Sequence, residues 1–242
     1  MTLPKLTIIV PVFNEQDSLL RLKTELDKFI NTGKLAAGVL FVNDGSTDNS
    51  LRIIKKICTD DVNYQHISLS ENMGLSAAMK AGINTIQTKY TGYIDADLQT
   101  SPADFDLLIP FIEDYELVLG HRHERNDPFV KRMSSVIANA VRRAILKDGV
   151  KDTGCPLKII QTETAKKIPF FKGMHRFIPA LVQSLGGKVR EVPVRHFPRL
   201  EGEAKYHLSN RIIQPLIDTF AVCWMKKRMI NYHLCENERK NS

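Results

Sequence analysis

The sequence predicts an α/β domain with a mostly parallel central sheet and helices on both faces. Two observations carry this. Apolar, β-branched runs of strand length alternate with amphipathic segments of helical period three times in succession, ending at Asp95. The polar residues that stand out in this half, Asn14, Glu15, Asp44, Asp95 and Asp97, each fall just beyond a predicted strand. Open α/β sheets collect their ligands at that edge.

Leu6–Val12 reads as a buried strand, followed by an amphipathic helix over Ser18–Ile30 with Leu19, Leu22, Leu26 and Phe29 on one face. Gly38–Val42 is the second strand. The turn Asp44-Gly45-Ser46-Thr47-Asp48 offers Thr47 or Asp48 as a cap for a helix over Leu51–Ile57. Tyr64–Leu69 is the third strand, Leu75–Ile86 the third helix, and Tyr90–Ile94 the fourth strand. Beyond these, Leu117–Gly120, Leu157–Gln161 and Val189–His196 read as strands, Val130–Leu146 as a basic helix and Phe177–Ser184 as a helix. Arg211–Lys227 is a helix whose apolar face (Ile212, Ile213, Leu216, Ile217, Phe220, Cys223, Trp224) is expected in a core or subunit interface, with a bilayer surface as the alternative. The charged end Glu236–Ser242 is expected to be disordered.

A chain of 242 residues can bury one good core, and 43% hydrophobic with 25% charged residues is the balance of a soluble globular protein. No window approaches the roughly 18 uninterrupted apolar residues of a membrane span. Met1–Val10 runs straight into a strand without a secretory signal, and Cys58, Cys155, Cys223 and Cys235 are too scattered for a disulfide framework or zinc site. The expected location is therefore cytoplasmic. The net charge of +7 is concentrated in Arg122–Arg143 and Arg190–Arg228, which suits nucleic acid, an anionic membrane or a phosphorylated substrate.

Asp95-Ala96-Asp97-Leu98-Gln99 is the sharpest chemical feature. Alternate residues of an extended segment point the same way, so two carboxylates can converge on a hard cation, Mg²⁺ or Mn²⁺, whose shell diphosphate oxygens would complete. Asp-x-Asp is common by chance; its position directly after an apolar strand and before Pro102 gives it weight. In Pro11-Val12-Phe13-Asn14-Glu15 the ring of Phe13 could stack on a base while Glu15 accepts from ribose or base donors; Asn14 as a helix cap is the plainer alternative. Asp44 could likewise meet a uracil or guanine edge. A dehydrogenase is disfavoured because no GxGxxG follows the first strand.

Taken in order, Pro11-x-x-Asn14-Glu15, Asp44-Gly45-Ser46-x-Asp48, Asn72-x-Gly74 with Ala78 and Gly82, and Asp95-Ala96-Asp97 resemble the family-2 glycosyltransferases of the GT-A fold. Asp95–Gln99, Gly120-x-Arg122, Lys131-x-x-x-Ser135-x-x-x-Asn139, Asp152-x-Gly154 and Arg199-x-x-Gly202-x-Ala204-Lys205-Tyr206 look like the polyprenyl-phosphate sugar transferases within that family. The resemblance implies a metal-dependent, inverting transfer from a uridine- or guanosine-diphosphate sugar to a polyprenyl phosphate. It places the cation on Asp95, Asp97 and Gln99, the nucleoside near Pro11, Phe13, Glu15 and Asp44, and the acceptor phosphate on Arg122, Lys131, Ser135, Arg199 and Lys205. Lys131 stands where the family has arginine and Ala204 where it has serine.

The basic helix lacks interleaved aromatics, which points to phosphate and away from single-stranded nucleic acid. The histidines are expected to be structural or superficial. The expected organisation is a catalytic domain over 1–208, with a nucleotide-sugar half over 1–120 and an acceptor half over 121–208, then a helix and tail over 209–242. A lipid acceptor implies peripheral attachment to a membrane or a membrane partner subunit; self-association is left open. The rivals are transfer to a sugar hydroxyl, with Asp152 as base, and a non-catalytic nucleotide-sugar-binding module.

Overall fold

The structure, a computed structural model, describes residues 4–122, 140–198 and 213–230. Seven strands form one sheet in the order β3-β2-β1-β4-β6-β5-β7: β1 (Leu6–Val12), β2 (Ala37–Asn43), β3 (Tyr64–Ser68), β4 (Tyr90–Tyr93), β5 (Leu117–Arg122), β6 (Lys158–Gln161) and β7 (Val189–Val194). The helices are α1 (Leu19–Thr32), α2 (Ser50–Asp60), α3 (Leu75–Thr85), α4 (Phe105–Leu108), α5 (residues 140–146 in its described part), α6 (Thr162–Lys167), α7 (Ile178–Ser184) and α8 (Ile213–Arg228).

The expected α/β class is borne out, with one reversal. β1 pairs in parallel with β2 and β4, β2 with β3, and β5 with β7, whereas β6 runs antiparallel between β4 and β5. The strands are near-continuous apolar runs because helices cover both faces. On one face α1 buries Leu19, Leu22, Leu26 and Phe29, and the Phe29 ring lies 5.5 Å from that of Phe105 on α4. Each such side chain contributes about 1.5–3 kcal/mol through burial. The other face is covered by α3, α5, α6, α7 and Val222 of α8. There Gly82 of α3 lets the helix approach β1 so closely that a Cβ would come within 2.9 Å of Ile9.

Several elements depart from expectation. The stretch after the fourth strand forms α4 between two 3₁₀ turns, Pro102–Asp104 and Ile109–Phe111, because Pro102 and Pro110 interrupt any longer helical period. Ser101 caps the first of these turns, its hydroxyl accepting from the Ala103 amide at 3.3 Å. α8 forms as expected, but its buried residues include Asp218, Thr219 and Val222, while Ile217, Phe220 and Trp224 are 55%, 62% and 63% exposed. Among the described residues no helix is long and apolar enough to cross a membrane. Most of the basic helix, the division at 208/209 and the charged tail lie outside the described residues.

Candidate active site

Because β1, β2, β3, β4, β5 and β7 share one direction and β6 opposes them, the carboxyl ends of six strands and the amino end of β6 lie along one rim of the sheet. The polar segments of the sequence gather there.

The loops after β1 and β2 are stitched together. Asn14 adopts a left-handed backbone with φ of 52°. Its amide donates to Ser46 Oγ at 3.1 Å, and its side-chain oxygen accepts from the Thr47 amide at 2.8 Å. Asn14 therefore caps no helix of its own; Ser18 precedes α1. The Glu15 amide donates to Ser50 Oγ at 2.9 Å and the Gln16 amide to Asp48 Oδ2 at 3.2 Å, which fixes Pro11, Phe13 and Glu15, all partly buried, along one wall. Asp48 Oδ1 also accepts from the Ser50 amide at 2.9 Å, at the start of α2. Asp44 is 4% exposed. Its carboxylate accepts from the amides of Met73 (2.8 Å) and Gly74 (2.9 Å) and from Asn72 Nδ2 (3.1 Å). The carboxylate expected at a base edge thus anchors the 72–74 turn. Gly45, at φ of 66°, makes room for that turn: a Cβ would lie 2.3 Å from the Glu71 carbonyl carbon.

Beyond β4 the chain turns sharply. Leu98 takes φ of 56°, a strained conformation for a leucine, and its side chain is packed into the core. Around it the Gln99 amide donates back to Asp97 Oδ1 at 3.1 Å. The Gln99 carbonyl accepts from the Phe197 amide at 3.0 Å and lies 3.1 Å from His196 Nδ1. A carbonyl can only accept, so this ring nitrogen carries the hydrogen. Arg195 secures this connection by clasping Asp104 at 2.7 and 3.1 Å. The Tyr93 hydroxyl donates to Asp95 Oδ1. Burial pushes the Asp95 carboxyl up to about 6, and the neighbouring Asp97 pushes the same way. Two carboxylates that resist sharing negative charge, with the Gln99 amide oxygen on the same turn, fit a hard divalent cation. Among the described residues no cluster of three or more His, Cys, Asp or Glu forms a metal site, so such an ion would need oxygens from elsewhere to fill its shell.

The opposite wall holds two charged groups. Arg122, at the end of β5, grips Asp152 with Nε–Oδ2 of 2.7 Å and Nη2–Oδ1 of 2.9 Å, their side chains only 10% and 6% exposed. The residue expected on an acceptor phosphate and the candidate base are thus joined to each other, and Glu191 holds the Asp152 amide at 3.0 Å. Lys158 went unnoticed in the sequence, where it reads as one polar position within the strand Leu157–Gln161. It is buried, faces Tyr93 across the β4–β6 ladder, and donates from Nζ to the Cys155 carbonyl. His175 is structural, as expected. Its Nδ1 lies 3.1 Å from Ser76 Oγ, which accepts from the Gly173 amide at 3.2 Å, and burial holds its pKa down at about 3. Lys131, Ser135, Arg199 and Lys205 lie outside the described residues.

Comparison with known proteins gives this rim a context. The model of glycosyl transferase family 2 matches residues 7–174, well over half of the chain. The chain is 30% identical over 229 residues to dodecaprenyl-phosphate galacturonate synthase of Rhizobium johnstonii, covering 92% of this chain and 68% of that protein. It is 31% identical over 214 residues to undecaprenyl-phosphate 4-deoxy-4-formamido-L-arabinose transferase of Edwardsiella ictaluri, covering 87% and 66%. The chain therefore spans about two thirds of the length of these relatives. Among solved structures, glucosyl-3-phosphoglycerate synthase of Mycobacterium tuberculosis with phosphoglyceric acid superposes with a TM-score of 0.71 at 14% identity, covering 91% of this chain and 80% of that one. The same enzyme with Mn²⁺, uridine diphosphate and glucosyl-3-phosphoglycerate gives a TM-score of 0.70 at 14% identity, over 91% and 80% of the two chains.

Proposed function

The chain belongs to glycosyl transferase family 2 and is a glycosyltransferase, and from that premise we propose that it moves a sugar from a nucleoside diphosphate to a polyprenyl phosphate. The observation that carries the proposal is the Asp95–Gln99 turn. Tyr93 holds Asp95 and the Gln99 amide holds Asp97, on a turn through left-handed Leu98, at the rim where the β1 and β2 loops are joined. Relatives named for dodecaprenyl- and undecaprenyl-phosphate support the acceptor class. The fold neighbour solved with Mn²⁺ and uridine diphosphate supports the donor class.

Asp95, Asp97 and Gln99 would hold Mg²⁺ or Mn²⁺. Such an ion neutralises the negative charge that develops on a departing diphosphate. Phe13 and Glu15 would flank the nucleoside of a uridine- or guanosine-diphosphate sugar, while Asp44 keeps the 72–74 turn in place beneath it. Arg122, Lys131, Ser135, Arg199 and Lys205 would gather the acceptor phosphate, and Arg122 enters with its orientation preset by Asp152. A phosphate dianion is already nucleophilic, so it attacks the anomeric carbon without a general base, and one displacement inverts the configuration. The engagement of both Asp152 oxygens by Arg122 weighs against the rival transfer to a sugar hydroxyl, for which Asp152 was the candidate base. Work on a lipid phosphate places the protein peripherally at a membrane, with the exposed face of α8 as its contact.

A thermal-shift panel of uridine and guanosine diphosphate, each with and without Mn²⁺, tests the donor half. One diphosphate with Mn²⁺ should raise the melting temperature in proportion to ln(1+[L]/Kd); stabilisation by neither contradicts the proposal.

A further inference from the structure

Lys158 stands where a hydrophobic residue would cost the fold less. It is 4% exposed; burial lowers its pKa by disfavouring the charged form, while the nearby Asp95 and Asp152 carboxylates pull the other way and favour it. Its ammonium donates to the Cys155 carbonyl and lies 5.4 Å from the centre of the Tyr93 ring. Tyr93 is its register partner and donates in turn to Asp95. The ammonium is therefore linked to Asp95 through the Tyr93 side chain, and Asp95 feels its attraction.

We propose that Lys158 is the resident counter-charge of the cation site, which weakens the affinity of Asp95 and Asp97 for a cation alone and so couples cation uptake to the arrival of a diphosphate. This rests on the cation site proposed above. Two carboxylates without an ion repel each other, and an ammonium that attracts Asp95 from beyond Tyr93 relieves that repulsion. The same ammonium opposes an incoming divalent ion, whose shell the described carboxylates do not fill. A diphosphate reverses the balance, because it brings both the missing oxygens and additional negative charge. In a partly buried site one unit charge at such range is worth about tenfold or more in cation affinity.

The test is a titration of Mn²⁺, read by electron paramagnetic resonance of the free ion, into the intact chain and into K158M, K158Q and K158R. K158Q keeps a donor for the Cys155 carbonyl without the charge, and K158R keeps the charge. K158M and K158Q should bind Mn²⁺ alone at least about tenfold more tightly than wild type, K158R as wild type does. Folded neutral variants that bind Mn²⁺ no more tightly overturn the proposal. If the neutral variants unfold, Mn²⁺ should refold them by replacing the lost charge; failure to do so makes Lys158 merely structural and also overturns it. A wild-type chain that binds no Mn²⁺ even with uridine or guanosine diphosphate present would instead remove the cation site itself.

Discussion

Arg122 and Asp152 meet at the rim of the sheet through the Nε–Nη2 side of the guanidinium, bridged by two hydrogen bonds of 2.7 and 2.9 Å. Far apart in sequence, they tie the end of β5 to the segment that leads into β6. Both side chains are largely out of solvent, so removing one partner takes a buried counter-charge from the other. D152A or R122A should each cost about 3–5 kcal/mol, and the double variant should cost less than the two single losses together. Urea denaturation of the three variants measures this; additive losses would show that the pair is not an energetic unit.

His175 sets an acid limit. Its pKa is held down at about 3 in the folded chain, against the ordinary 6.5 for an exposed histidine. Between those values the unfolded chain takes up a proton that the folded chain refuses, so stability falls as pH is lowered through this window, by up to about 1.4 kcal/mol per pH unit. Asp95 works in the opposite sense, since a carboxyl raised to about 6 favours the fold on protonation. Comparing wild type with H175Q cancels that contribution, because the introduced amide can still meet the Ser76 hydroxyl without titrating. Melting temperatures from pH 7.5 to 5 should fall more steeply for wild type than for H175Q; parallel curves would contradict the assignment.

Much of this was legible in the sequence, because a doubly covered parallel sheet leaves its strands as apolar runs and its ligands at their ends. Asp95, Asp97, Glu15 and Asp44 could be placed at the rim from that alone. What they do there could not. Asp44 reads as a carboxylate that could meet a base, and nothing local announces that it also holds the 72–74 turn. The Arg122–Asp152 pair and the Tyr93–Lys158 pair arise from strand neighbours far apart in sequence, β6 being inserted antiparallel between β4 and β5. The period of α8 gave the helix, but the core reading of its apolar face does not hold for Ile217, Phe220 and Trp224. Asp218 is buried beside Gly173, with Gln214 donating to it at 2.9 Å, and this turns Phe220 and Trp224 outward.

That outward face makes a membrane prediction. Ile217, Phe220 and Trp224 follow one another at helical spacing, the Arg228 guanidinium lies 5.3 Å from the Trp224 ring, and Lys227 is exposed beside it. Apolar and aromatic groups flanked by cations suit an anionic bilayer surface. The protein should co-float with anionic vesicles at low salt, and the F220S/W224S variant should lose most of that binding. Equal flotation of the two would place the contact elsewhere.

The central claim is tested most directly by sugar transfer to an undecaprenyl-phosphate acceptor in the presence of Mn²⁺, wild type against D97A. Wild type should form the lipid-linked sugar from a uridine- or guanosine-diphosphate donor, and D97A, folded to the same melting temperature, should lose at least about a hundredfold in turnover, on the scale of a lost electrostatic stabiliser. A folded D97A that keeps near-full turnover would contradict the account.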